Sequence, residues 1–217
     1  MNIYEKLKRS LNLKSSPIGV KLIYSNGKEL DIDKKFNKVN KIERYCEFVK
    51  RASKGEFIKL EKEDFLCLNA ELVLGFKKPM HIEIDMRLNN DNLKYILLFP
   101  INEYEMEDVN SIILIVTPRN CTDILEAYVK IFNKPLAISI GATMGACGEV
   151  TSYVIKNKKM NFSFACNGAR IYSGFDDCEL LCGIPIKQVA TLSNELEFIA
   201  KERKIDMEMV KKLKNYD

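Results

Sequence analysis

The sequence predicts an α/β or α+β domain whose mixed sheet is built from two pseudo-symmetric strand-helix-strand halves, followed by C-terminal helices. Three observations lead there. Strand and helix signals alternate along the chain instead of segregating into blocks. Ile112 to Thr117 is continuously apolar, as a strand covered on both faces must be. And sliding the sequence against itself by 80 residues brings like elements into register from Asn40/Asn120 to Met86/Cys166.

Taken in order, Ile3, Tyr4, Leu7 and Leu11 recur at helical spacing and predict a helix over 2–13, broken by Ser15-Ser16-Pro17. Ile18 to Tyr24 is a strand, closed by the turn Ser25-Asn26-Gly27. The polar stretch to Asn40 reads as loop. A helix follows from Ile42 to Lys54, with Tyr45, Cys46, Phe48, Val49 and Ala52 on one face and Gly55 as its stop. Phe57 to Leu60 predicts a strand, Glu61 to Cys67 a connection, and Ala70 to Phe76 a helix ended by Gly75 and Pro79. Strict alternation over His81 to Leu88 predicts a half-buried strand. Tyr95 to Pro100 and Ile112 to Thr117 are further strands. A helix to Phe132 starts on Asn120 or Thr122 as N-cap. Leu136 to Ile140 and Met160 to Ala165 predict strands, and Ser193 to Lys204 and Met207 to Lys214 two helices with a break near Asp206.

The expected organisation is a single domain over 1–217, with repeats at about 15–90 and 110–186 and a helical tail at 187–217. At 217 residues, 47% of them hydrophobic and 29% charged, the chain can bury a full core and is not disordered in composition. The net charge of +4 comes from 34 basic and 30 acidic residues that are interspersed, which argues against a nucleic-acid footprint. No apolar run reaches the roughly 18 to 20 residues that span a bilayer, and the N-terminus shows no export signal. These features predict a soluble, cytoplasmic protein with no membrane or nucleic-acid partner. Edge strands and apolar C-terminal helices leave homodimerisation open.

The chemistry concentrates in residues 135–185, which hold four of the seven cysteines and six of the ten glycines. Gly-Ala-Thr-Met-Gly-Ala-Cys-Gly surrounds Cys147 with glycines, and a second strand ends on Cys166-Asn-Gly. Two thiols leaving strand ends through Gly-rich turns suit a metal, cluster or reactive-thiol site; the competing reading is that buried cysteines pack as small hydrophobes. An odd number of cysteines in a cytosolic chain points to metal binding, redox chemistry or packing, not to a disulfide framework. In the 80-residue register Cys67 falls on Cys147, which would bring the two to equivalent strand ends. Gly145, Gly148, Asn167, Gly168 and Arg170 are the candidate ligand-binding residues, with Arg170 as a positive neighbour to a thiolate or an anion.

Tyr-Cys46-Glu-Phe-Val-Lys-Arg-Ala-Ser-Lys-Gly55, Cys67 followed by Leu74-Gly75, Gly-Ala-Cys147 and Phe-Ala-Cys166-Asn-Gly168-Ala-Arg170 resemble the pattern of the uncharacterised domain-of-unknown-function family 169, over about residues 15–186. That family is found largely in archaea and anaerobic bacteria, and no activity is assigned to it as a whole. The resemblance singles out Cys46, Cys67, Cys147 and Cys166 and sets Cys121, Cys178 and Cys182 apart as additions of this sequence. Four thiolates are what a [4Fe–4S] cluster or an all-cysteine zinc site requires. Zinc ranks lower, because the only close pair, Cys178 and Cys182, has no second knuckle. That pair could share a helical face, with packing the better reading for Cys182. The single histidine, His81, is far in sequence from every cysteine and reads as structural, and Asp176-Asp177 as a solvated turn. No G-x-G-x-x-G, P-loop or H-E-x-x-H occurs. The expectation is an iron-sulfur redox or electron-transfer protein, served by an electron donor or a small-molecule substrate. Its rival is a module that binds a tetrapyrrole-like cofactor or an anionic ligand without metal.

Overall fold

The structure, a computed structural model, describes residues 2–25, 34–78, 86–88, 92–104 and 106–214. Its strands are β1 (Ile18–Tyr24), β2 (Asn37–Lys38), β3 (Ile58–Leu60), β4 (Leu93–Pro100), β5 (Ser111–Val116), β6 (Asn161–Ser163) and β7 (Leu180–Pro185). They form one sheet in the order β2-β3-β4-β1-β5-β7-β6. All pairs are antiparallel except β2 with β3, so the sheet is mixed, as predicted.

Helices cover both faces. On one side lie α2 (Tyr45–Ala52), α3 (Leu68–Val73), a π-helix (Gly145–Ser152), α5 (Tyr153–Asn157) and α6 (Asn167–Tyr172). On the other lie α1 (Ile3–Ser10), α4 (Pro118–Phe132) and α7 (Ile186–Lys214). The strand period sorts the core between these layers. Ile96, Leu98, Ile113 and Ile115 pack under α2 and the π-helix, while Tyr95, Leu97, Phe99, Ile112, Leu114 and Val116 pack under α1, α4 and α7. The unbroken apolar runs of β4 and β5 therefore reflect a sheet buried on both faces. No described helix is long and apolar enough to cross a membrane.

Several elements differ from expectation, each for a local reason. The stretch 136–140 is not a strand; Ile138 and Ile140 are exposed, and Ser139 is clasped by the Asn161 side chain in place of a backbone ladder. Helix α4 begins earlier, on Thr117, whose hydroxyl accepts from the Asn120 N–H while Pro118 opens the helix; Asn120 stands at the third helical position and returns its Oδ1 to the Thr117 N–H. Asp206 does not interrupt α7, which is one 29-residue helix with no Gly or Pro inside it. Cys182 lies in β7, so Cys178 and Cys182 share no helical face. Only the last part of the strand predicted over His81 to Leu88 is described, where Met86 to Leu88 form no strand; His81, Pro79 and the turn residues Asn26 and Gly27 lie outside the described residues.

The 80-residue register does not carry through as structure. Helix α2 falls within the register of α4, but β3 falls on 138–140, which is irregular, and the segment around Cys67 meets a π-helix. Among the described residues the elements therefore do not correspond, and the counterpart of β6, residues 81–83, lies outside them.

Candidate functional site

The π-helix is the element on which the site is assembled. Its wide turn is marked by the Glu149 N–H, which reaches the Met144 carbonyl five residues back at 2.9 Å. All eight of its residues are buried. Such turns are rare and cluster at functional sites. Gly183 of β7 lets this helix lie directly on the sheet, since a Cβ there would stand 2.3 Å from the Val150 carbonyl oxygen. Glycine at 145 does the same on another side: a Cβ would stand 2.7 Å from the Ala165 Cα and 2.8 Å from the Cys166 N.

Polar bonds tie the remaining elements to it. Thr151 donates its hydroxyl proton to the Ala146 carbonyl at 2.8 Å, so the Tyr45 hydroxyl, 3.1 Å away, donates to Thr151 and links α2. Burial pushes the Tyr45 phenol upward, which keeps it a donor. The Ser152 hydroxyl is within hydrogen-bond reach of the Val73 carbonyl, at 3.0 Å, and of the Met86 carbonyl, and so lies against the end of α3. Glu149, fully buried, accepts the Gly141 and Ala142 N–H groups, each at 2.7 Å, and the Ser163 hydroxyl. It thereby fixes the loop that precedes the helix. Ala142 and Ala165 both have positive φ, 52° and 66°, a strained backbone for alanine that the surrounding bonds must hold in place.

The outcome is a cavity of about 340 Å³ lined by Cys46, Cys67, Cys147 and Cys166 together, with Arg44, Tyr45, Asn69, Ala142, Thr143, Asn167 and Gly168. Each thiol comes from the start of a different helix. Cys46 is the second residue of α2, Cys67 the N-cap of α3, Cys147 the third residue of the π-helix and Cys166 the N-cap of α6. Cys46 and Cys147 are buried, each 7% exposed, and Cys67 and Cys166 half-buried. Burial pushes the Cys46 thiol up to about 11, a contact with Ser173 pulling the other way. Burial raises the Cys147 thiol as well, and the nearby Cys67, Cys166 and Cys46 add to the rise. Both are therefore neutral thiols at ordinary pH until something displaces the proton.

The other predicted residues divide. Asn167 and Gly168 line the cavity, whereas Gly145 and Gly148 are buried beneath it; a Cβ on Gly148 would meet Met144 Cβ at 2.7 Å. Those two glycines serve close packing. Arg170 is also turned away, because its guanidinium donates to the Phe164, Asp176 and Glu179 carbonyls and so fastens α6 to the turn before β7. The cation that does face the cavity is Arg44, which sequence reasoning passed over. Glu149 was passed over as well; its cue was an acidic residue among Gly, Ala and Val. Cys121 and Cys182 stand in the other layer, and Cys178 is exposed. Among the described residues no three His, Cys, Asp or Glu side chains are drawn together tightly enough to hold a single metal ion.

No curated protein and no solved structure matches the chain. The family model of DUF169, described as Uncharacterised ArCR, matches residues 6–86 and 80–195. Those stretches take in most of the sequence and all four cavity cysteines, and the chain belongs to the DUF169 family.

Proposed function

We propose that the cavity holds an iron-sulfur cluster of the [4Fe–4S] type, with Cys46, Cys67, Cys147 and Cys166 as ligands, and that the protein serves electron transfer or a redox reaction on a small molecule. One observation carries this reading: four thiols from four separate helix starts line the same cavity, while the other three cysteines lie elsewhere. Sulfurs around a single tetrahedral ion stand about 3.8 Å apart, from a metal–sulfur bond of about 2.3 Å. A cluster puts each thiolate on a different iron and spaces them more widely. It therefore asks for less contraction of these side chains than zinc does. A reducing cytoplasm, with an electron donor to the cluster, fits thiols that must stay free until loaded.

A rival reading draws on exposed apolar residues that neighbour two of the cavity cysteines in sequence. Leu66, Leu68 and Phe164, which flank Cys67 and Cys166, are 57%, 50% and 56% exposed and could grip a flat organic cofactor such as a tetrapyrrole, the thiols then merely packing. Anaerobic purification separates the two. The cluster gives a brown protein with broad visible absorption that Cys147→Ser and Cys166→Ser bleach and Cys121→Ser does not. A structured cofactor band, or equal iron in all three variants, would overturn the cluster reading.

A further inference from the structure

Arg44 is half-buried at the cavity and held in an unusual state. Its guanidinium carbon lies over the Tyr172 ring, 3.7 Å from the centroid, a cation–π contact that holds the side chain there. Its nearest carboxylate, Glu47, stands 3.7 Å from Nη1, beyond hydrogen-bond distance, and the same Glu47 oxygen is already taken by the Arg44 backbone N–H at 2.8 Å. Among the described residues the guanidinium has Glu47 as its ion-pair partner and makes no side-chain hydrogen bond, and the amides of Asn69 and Asn167 line the same cavity.

Gly168 places the two groups side by side. A Cβ built there would make ordinary contact with Arg44 Cδ at 3.7 Å, Arg44 Nε at 3.8 Å and Cys166 Sγ at 3.9 Å, so the arginine and the thiol flank one point over this glycine.

We infer that Arg44, held against Tyr172 and flanked by Asn167, is an anion-recognition site that seats the carboxylate or phosphate group of a small substrate beside the cysteine cavity. A planar guanidinium fork that makes no hydrogen bond to the protein's own side chains matches such oxyanions in two-point contact. The inference deepens the cluster reading by naming the substrate class, and relies on that reading only for the redox step the anion would meet.

The test is titration calorimetry of the full chain, metal-free and anaerobically reconstituted, with oxalate and with inorganic phosphate as probes. Wild-type protein should bind one of them with Kd at or below about 10 mM, and Arg44→Met should weaken it about tenfold or more. Arg44→Lys, which keeps charge but loses the fork, should fall between. Gly168→Ala fills the space between guanidinium and thiol at ordinary contact distances; it should weaken binding with an unchanged melting temperature. Preference for oxalate marks a carboxylate substrate, and preference for phosphate a phosphoester. Absence of binding by wild type at that concentration, or equal binding by Arg44→Met, overturns the inference. Failure of the cluster reading shows separately, as reconstituted protein without iron absorption that still binds the anion through Arg44.

Discussion

Replacing Gly145 by alanine tests whether the first turn of the π-helix and the Cys166 peptide are held in direct contact. The added Cβ would lie 2.7 Å from Ala165 Cα, 2.8 Å from Cys166 N and 2.9 Å from Ala165 C, all backbone atoms that cannot rotate away. Relief to an ordinary carbon separation of at least 3.5 Å needs a shift of about 0.8 Å between two elements, one carrying Cys147 and the other Cys166. Overpacking of this kind costs about 1–3 kcal/mol; with no side chain to yield, Gly145→Ala belongs at the upper end. Gly141→Ala is the control, since its Cβ would meet nothing closer than Thr143 Oγ1 at 3.6 Å, and it should change stability by less than about 0.5 kcal/mol. Urea unfolding of the metal-free variants reads the energies, and iron content after anaerobic reconstitution reads the displaced thiols. If Gly145→Ala unfolds at the wild-type midpoint and loads iron equally, the close contact and the site built on it are wrong.

Two further outcomes follow from the buried groups around the cavity. Glu149→Ala strips the acceptor from the Gly141 and Ala142 N–H groups and the Ser163 hydroxyl, and should cost about 2–4 kcal/mol. Hydrogen exchange at the amides of 141 and 142 should quicken as well, and unchanged protection there would refute the tethering role. The Cys46 thiol, raised from 9.0 to about 11, binds its proton in the folded chain over a range where the unfolded chain releases it. Its contribution is thus complete below pH 9 and is lost as pH climbs toward 11, amounting to about 2–3 kcal/mol. Urea midpoints should decline through that interval and decline less in Cys46→Ala; parallel curves would contradict the assignment.

Much of the scaffold was legible because its signals are local. The apolar runs of β4 and β5 announced a doubly covered sheet, and the periodic face of Tyr45, Phe48, Val49 and Ala52 gave α2. The site was legible only in its thiols. Gly145 and Gly148 suggested a ligand turn, whereas they allow helix against backbone, a distinction set by what packs on them from distant sequence. Residues 136–140 have strand propensity, but a side chain, Asn161, supplies the partners a neighbouring strand would have given. The apparent repeat brought Cys67 and Cys147 together for the wrong reason. They meet at one cavity where α3 and the π-helix pack together, although β3 and its register partner 138–140 do not match.

The most direct measurement is the iron and acid-labile sulfide content of anaerobically isolated protein, taken with the electron paramagnetic resonance spectrum after dithionite reduction. The expected result is about four iron and four sulfide per chain, with a reduced-cluster signal that disappears in Cys46→Ser, Cys67→Ser, Cys147→Ser and Cys166→Ser but persists in Cys121→Ser and Cys178→Ser. Protein that carries neither iron nor sulfide after both anaerobic isolation and reconstitution, and whose spectrum is indifferent to the four cavity cysteines, would contradict it.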